Sequence, residues 1–381
     1  NGKLVAGTNI TLTEGSDGGD ETLTVAASTT PAANSITTAQ LAYDPNPFRN
    51  IIINGDMSIA QRGTSFTSVT SNTYTLDRWL TSGSGYTLTI TQDTDVPTGQ
   101  GFATSTKLQV TTANASPSAA ENLQYQTRFE GQMLQYLKFG TSSAESLTMS
   151  FWVKSNLTGV YCTEFQNDDN DKTRGANFTI SSADTWEKKT ITISGDTASG
   201  FTNDNNRSMR LSFGLMSGSN TTGSNASIAN WVTRSTNVTS IFPNLGVNFC
   251  SSTSNYINIT GVQLEASTVA SEFEFLPVDA NLARCQRYFE LCTGSRSQYS
   301  YYAGVAYVNP FFFKVTKRAT PSISKAEANF TMFYNNGYDA NVTWNSDIRS
   351  VDQITIYMSS TRPYGFIGPD ETKPFKADSE L

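Results

Sequence analysis

The chain has 381 residues and a net charge of −7, from 26 Lys+Arg against 33 Asp+Glu, and only 15% of it is charged, against roughly a quarter in ordinary soluble domains. Ser, Thr, Asn and Gly fill the difference, which argues against long exposed helices, against nucleic-acid binding through clustered cations and, with no run of ~20 apolar residues, against membrane insertion. His is absent, which excludes Ser-His-Asp triads, Cys-His dyads and imidazole metal sites.

The sequence begins at Asn1, which marks a processed product or the ordered part of something longer, and no signal peptide is visible. Ile10 and Leu12 alternate with polar residues, as do Leu23 and Val25 beyond a Gly-rich turn, so residues 10–25 predict a hairpin. Residues 26–40 read as a linker. A lone hairpin is not stable in water; it either packs on the main body or packs on its own copies in a homo-oligomer.

From 49 to 278 short strands follow one another. Leu147, Met149, Phe151 and Val153 share one face; so do Met209, Leu211, Phe213 and Leu215, and Leu123, Tyr125, Thr127 and Phe129. Period two with a polar opposite face describes half-buried antiparallel strands, and many of them at short spacing describe a sandwich or barrel. Within this region Asn167-Asp168-Asp169-Asn170-Asp171 is a dense acidic run. Its Asp168, Asp169 and Asp171 are oxygen ligands of the kind calcium takes, but the spacing lacks the glycine and final Glu of a calcium loop, and a hairpin loop in solvent is the commoner meaning.

Residues 279–292 predict one helix, with Asp279 as N-cap and Leu282, Cys285, Phe289 and Cys292 as a single apolar stripe. The stripe would pack on the sandwich or on its copies around a symmetry axis. Cys285 and Cys292 lie two turns apart, roughly 10 Å, too far to bridge. With Cys162 and Cys250 they read as ordinary buried thiols; no CxxC occurs. Residues 293–381 predict a small β domain, with strands near 319–323 and 354–358 and with the charged last residues on the surface.

Several segments together resemble a domain of phage tail-fibre proteins. They are Asn50-Ile51-Ile52-Ile53-Asn54-Gly55-Asp56-Met57-Ser58-Ile59-Ala60-Gln61-Arg62-Gly63, Tyr74-Thr75-Leu76-Asp77-Arg78-Trp79, the 147–154 strand, Thr185-Trp186 leading into 190–197, Thr260-Gly261-Val262-Gln263-Leu264-Glu265, and 282–288. The ending Ala377-Asp378-Ser379-Glu380-Leu381 is similar to the C-terminus of such proteins. The sandwich part is similar to carbohydrate-binding modules of the galactose-binding-like type. The resemblance implies an all-β fold with a jelly-roll β-sandwich, and a homotrimeric virion protein that contacts the host surface. It implies no cofactor. Ala60 stands where the family often has Trp. Thr260 and Gly261 stand where related modules place an Asp for structural calcium, which puts that cation in doubt.

The expected organisation is therefore an N-terminal hairpin and linker (1–48) as the attachment end, a jelly-roll domain (49–278), a connecting helix (279–292) and a C-terminal β tip (293–381). The expected function is binding of a host-surface glycan or protein receptor by a tail fibre that joins other virion proteins through its N-terminal end. A capsid or neck fibre and a glycan-cleaving spike are the alternatives. Glycoside cleavage takes a defined pair of carboxylates, and none is singled out, so no enzyme is expected. Sugar contact takes flat aromatic faces beside hydroxyl-binding groups. Trp231, in a polar stretch, and Tyr299, Tyr301, Tyr302 and Tyr307 are the candidates, with packing the commoner fate of each. Asp77 with Arg78, and Asp56 with Arg62, are expected to form structural ion pairs.

Overall fold

The computed structural model describes residues 10–15, 22–27, 48–220, 227–234, 242–292, 298–300, 307–325, 332–334, 337–339, 343–348, 351–359, 365–367 and 375–381. The chain divides into two compact units, Asn1–Phe48 and Arg49–Leu381. In the first, Ile10–Gly15 pairs antiparallel with Thr22–Ala27, Leu12 opposite Val25, as the alternation predicts. The 26–40 linker lies almost wholly outside the described residues.

The second unit is built on a two-sheet sandwich. One sheet has seven strands in the order Val232–Thr233, Lys172–Ile180, Gly159–Asn167, Arg207–Ser217, Asn122–Glu130, Leu80–Ser84 and Thr73–Tyr74. The other has six: Glu187–Ile193, Leu147–Ser155, Tyr256–Ala266, Ser105–Thr112, Thr87–Asp93 and Ser65–Val69. The chain crosses repeatedly from one sheet to the other with antiparallel pairing, the wiring of a jelly roll. Inward residues of both sheets make one core. Trp79 stacks on Tyr125 at 5.2 Å, and Phe151 meets Phe213 at 5.1 Å and Phe178 at 5.0 Å.

The Asn50–Gly63 segment is a strap across the sandwich. Asn50 Oδ1 accepts from the Ile52 and Leu264 amides, and Asn54 Nδ2 donates to the Ile59 and Asp77 carbonyls. These amides hold irregular backbone that no ladder satisfies. A Cβ on Gly55 would lie 2.0 Å from the Val262 carbonyl oxygen, so only glycine lets the strap cross there.

The helix is shorter than its stripe predicts. It runs Val278–Gln286 with Pro277, not Asp279, at the N-cap. Phe289–Cys292 is instead a strand, paired with Phe375–Asp378. A non-local ladder has overridden local periodicity, helped by Arg287 and Tyr288, whose side chains both donate to the buried Glu130. Leu282 and Cys285 pack with Ile53, Ile59 and Tyr288 of the same chain, and Phe289 and Cys292 are buried too. The stripe thus packs within the chain. All four cysteines are free and buried.

Both expected ion pairs are re-partnered. Asp77 accepts from the amide and side chain of Gln61, and Arg78 pairs with Glu380. Arg62 pairs with Glu380 at 3.2 Å and with Asp378 at 3.3 Å, not with Asp56. The last residues are not a surface tail: Phe375–Asp378 is the middle strand between Phe289–Cys292 and Ser322–Lys325, and Ala377 and Ser379 are buried. The guanidinium of Arg78 lies 3.4 Å over the Tyr288 ring and that of Arg62 lies 3.6 Å over Phe289. Further strands include Gln353–Ser359, which covers the expected 354–358 segment.

Candidate functional site

The alternation that buries Leu147, Met149, Phe151 and Val153 turns Ser150, Trp152 and Lys154 to the outer face of the six-stranded sheet. Trp152 is half-buried there. It sits opposite Lys188 on one neighbouring strand and Thr260 on the other. Beside it opens a cleft of about 260 Å³. Its aromatic walls are Trp152, Phe102, Phe273 and Phe275, and its polar lining is Gln100, Ser150, Lys188 and Glu272.

Three of these rings support one another, with centroids 5.0 Å (Phe102–Phe273), 5.1 Å (Phe102–Phe275) and 4.9 Å (Phe273–Phe275) apart. Phe275 remains 51% exposed. The floor is Gly261, at φ 62° in a bulge of the Tyr256–Ala266 strand. A Cβ there would meet the Phe102 ring at 2.5 Å, so the bulge glycine is what lets Phe102 lie against the sheet. Thr260 beside it donates to the Thr104 carbonyl at 2.7 Å.

A second cluster lies on the same face toward the other end of the strands. Trp186 donates its indole N–H to Asp95 at 2.9 Å, and Lys154 pairs with the other oxygen of Asp95 at 2.7 Å. Burial pushes the Asp95 carboxyl up, but the Lys154 and Trp186 hydrogen bonds and the lysine charges outweigh it and hold the group below the usual range. Tyr256 donates to Asp184 at 2.5 Å, and Lys107 lies 5.0 Å from the Tyr256 ring centre. Burial, then Asp184, raises the Tyr256 hydroxyl. Neither Trp152 nor Trp186 has an aromatic partner among the described residues, whereas Trp79 and Trp231 do. A second cavity, between Asn54, Asp56, Asn281 and Arg284, measures about 10 Å³, too small for anything beyond a single water.

Of the residues picked from sequence, Trp231 and the acidic run do not line this cleft. Trp231 packs edge-on against Phe139 at 5.6 Å and gives its N–H to the Ser194 carbonyl at 2.9 Å, the packing role. Tyr299 falls in the strand Gln298–Ser300 and Tyr307 begins Tyr307–Phe312; Tyr301 and Tyr302, and the side chains of all four tyrosines, lie outside the described residues. The acidic run turns the Gly159–Asn167/Lys172–Ile180 hairpin. Asp168 is occupied by Arg207 at 2.9 Å and Arg210 at 2.7 Å, and Asp169 accepts from the Thr202 amide. Among the described residues no three acidic or cysteine side chains converge as a metal site. Trp152 and Trp186 were missed, although parity marks Trp152: it is the odd residue on the polar side of its strand.

No protein-family model and no curated protein matches the chain. Among solved structures it is similar to the enzymatically active domain of tailspike protein 4 of bacteriophage CBA120, at 16% identity over 58% of this chain and 22% of that one, TM-score 0.32. It is also similar to TmCBM61 in complex with β-1,4-galactotriose (10% identity, 57% of this chain and 99% of that one, TM-score 0.29). A third is the family 11 carbohydrate-binding module of Clostridium thermocellum in complex with a mixed-linked tetrasaccharide (11%, 55% and 99%, TM-score 0.27). At these values the likeness carries no argument about function.

Proposed function

We propose that the outer face of the six-stranded sheet binds glycan without cleaving it. The observation that carries this is Trp152, a half-buried indole on a polar sheet face, without a ring partner among the described residues, walling a cleft with Gln100, Lys188 and Glu272. A sugar offers apolar C–H faces and hydroxyl edges, and this pairing of a flat ring with donors and an acceptor answers both. Two features favour binding over hydrolysis. Among the described residues Glu272 is the one carboxylate in the cleft lining, and hydrolysis takes two. Against the pull of burial, the Lys154 and Trp186 hydrogen bonds hold the Asp95 carboxyl below the usual range, the opposite of the upward shift that a proton donor needs.

In this reading the protein is a fibre of a virus particle, a homotrimer whose N-terminal unit joins the particle and whose sandwich holds a host-surface glycan. The tail-fibre resemblance of the 50–63, 74–79 and 260–265 segments supports the placement. The test is a glycan array followed by calorimetry on the best ligand. Trp152→Ala lowers affinity by about tenfold, on the order of 1.4 kcal/mol, with unfolding unchanged. Equal binding by the variant, or reducing ends released on incubation with the bound polysaccharide, overturns the proposal.

A further inference from the structure

Glycan recognition by the Trp152 cleft leaves open whether one sugar unit is bound or a run of them. Lys188 sits opposite Trp152, and Glu187 opposite Val153. Trp186, one residue earlier, therefore flanks Lys154 and is the diagonal neighbour of Trp152, roughly 7–8 Å away in a sheet. Tyr256 follows beside Asn156, whose side-chain oxygen accepts the Tyr256 amide at 2.9 Å. From Ser150 at the cleft to Asn156 the face runs six residues, about 20 Å at ~3.3 Å per residue.

The rings at the far end are fixed at their polar edges. Trp186 is tied to Asp95 and Tyr256 to Asp184, so their orientation is set before any ligand arrives, which lowers the ordering cost of binding. Lys154 stands on the strand between them, and Lys107 flanks Tyr256 from the next strand out. The result is a staggered row of flat rings at successive levels along the strands, separated by polar groups, which fits a chain of pyranose units and exceeds a single sugar.

We infer that Trp186 and Tyr256, held by Asp95 and Asp184, form a second binding station in line with the Trp152 cleft, and that the ligand is an internal stretch of a polysaccharide several units long. The inference rests on the glycan reading of the cleft. Its test uses the full chain and neutral glucan, galactan, mannan and xylan oligomers, each from mono- to hexasaccharide, titrated by calorimetry. For whichever series binds, affinity climbs by about tenfold or more from disaccharide to hexasaccharide. Trp186→Ala removes most of that climb and leaves disaccharide affinity in place; Asp95→Ala, which removes the acceptor of both Trp186 and Lys154, does the same and guards against a folding artefact in the first variant. Length-independent binding, or equal loss for short and long oligomers, overturns the second station while the cleft stands. No binding by any oligomer or parent polymer overturns both.

Discussion

At Glu130 burial and hydrogen bonding pull in opposite directions. Burial raises its carboxyl, but hydrogen bonds from Arg287 and Tyr288 and the charge of Arg287 hold it below the usual range. A carboxyl lowered by folding adds stability that is complete above its unfolded value, about 4.3, and is lost as pH falls through the folded one. Burial raises Asp77 and Glu164 instead, so these two oppose that loss. The Glu130 component is therefore read as a difference: Glu130→Gln is less stable than wild type by roughly 1–3 kcal/mol at pH 7, and urea unfolding curves of the two converge as pH drops toward about 3. A gap that stays constant with pH sinks the assignment. Glu380 makes a stronger case, because it faces two guanidinia, Arg62 and Arg78, and the Arg78 side chain is 2% exposed. Glu380→Ala strands that buried cation and costs about 3–5 kcal/mol in the same measurement. Residue roles of this kind were half legible. Asp77, Arg78 and Arg62 stood out as charges inside apolar motifs, but nearest-in-sequence pairing failed: Asp77 is held by Gln61, and the partner of the two arginines lies some 300 residues away, where only the fold brings it to them. Trp152 was missed, although the period-two face that omits it places it on the outer side of its strand.

Elements followed the alternation wherever both faces of a strand had different neighbours. The hairpin turn at 167–172 and the inward face of Arg207–Ser217 came directly from sequence. The 279–292 segment did not, because Phe289, Leu291 and their neighbours fit helical and strand spacing alike, and the partner strand that decides between them begins at Phe375. The bulge at Gly261 was equally hidden; its glycine reads as a loop signal until Phe102 is seen above it. That position yields a prediction at the scale of the strand. An alanine at φ 62° is strained and its Cβ drives into the Phe102 ring, a cost of about 1–3 kcal/mol. Gly261→Ala lowers the thermal midpoint by several degrees and, by displacing Phe102 from the cleft wall, weakens glycan affinity as well. Loss of stability with full affinity would show that Phe102 does not shape the site.

The whole molecule carries its charge and its hairpin into any assembly. The Arg49–Leu381 unit has its own core, whereas two six-residue strands have too little apolar surface to order themselves alone. With the helix stripe packed inside the chain, we propose that the hairpin joins copies. The expected outcome is specific to that element. The full chain scatters light as three times 41.4 kDa at micromolar concentration, and a chain lacking residues 1–48 scatters as one copy while keeping the unfolding transition of the larger unit. Three copies on one axis also multiply weak contacts: on a glycan-coated surface the trimer dissociates at least about a hundredfold more slowly than the shortened monomer, although the two have equal affinity for a free oligomer. A shortened chain that stays trimeric moves the seam into the 49–381 unit. A full chain that is monomeric removes the trimer, and with it the means by which shallow clefts on a protein of net charge −7 hold a surface without help from electrostatic attraction to anionic glycans.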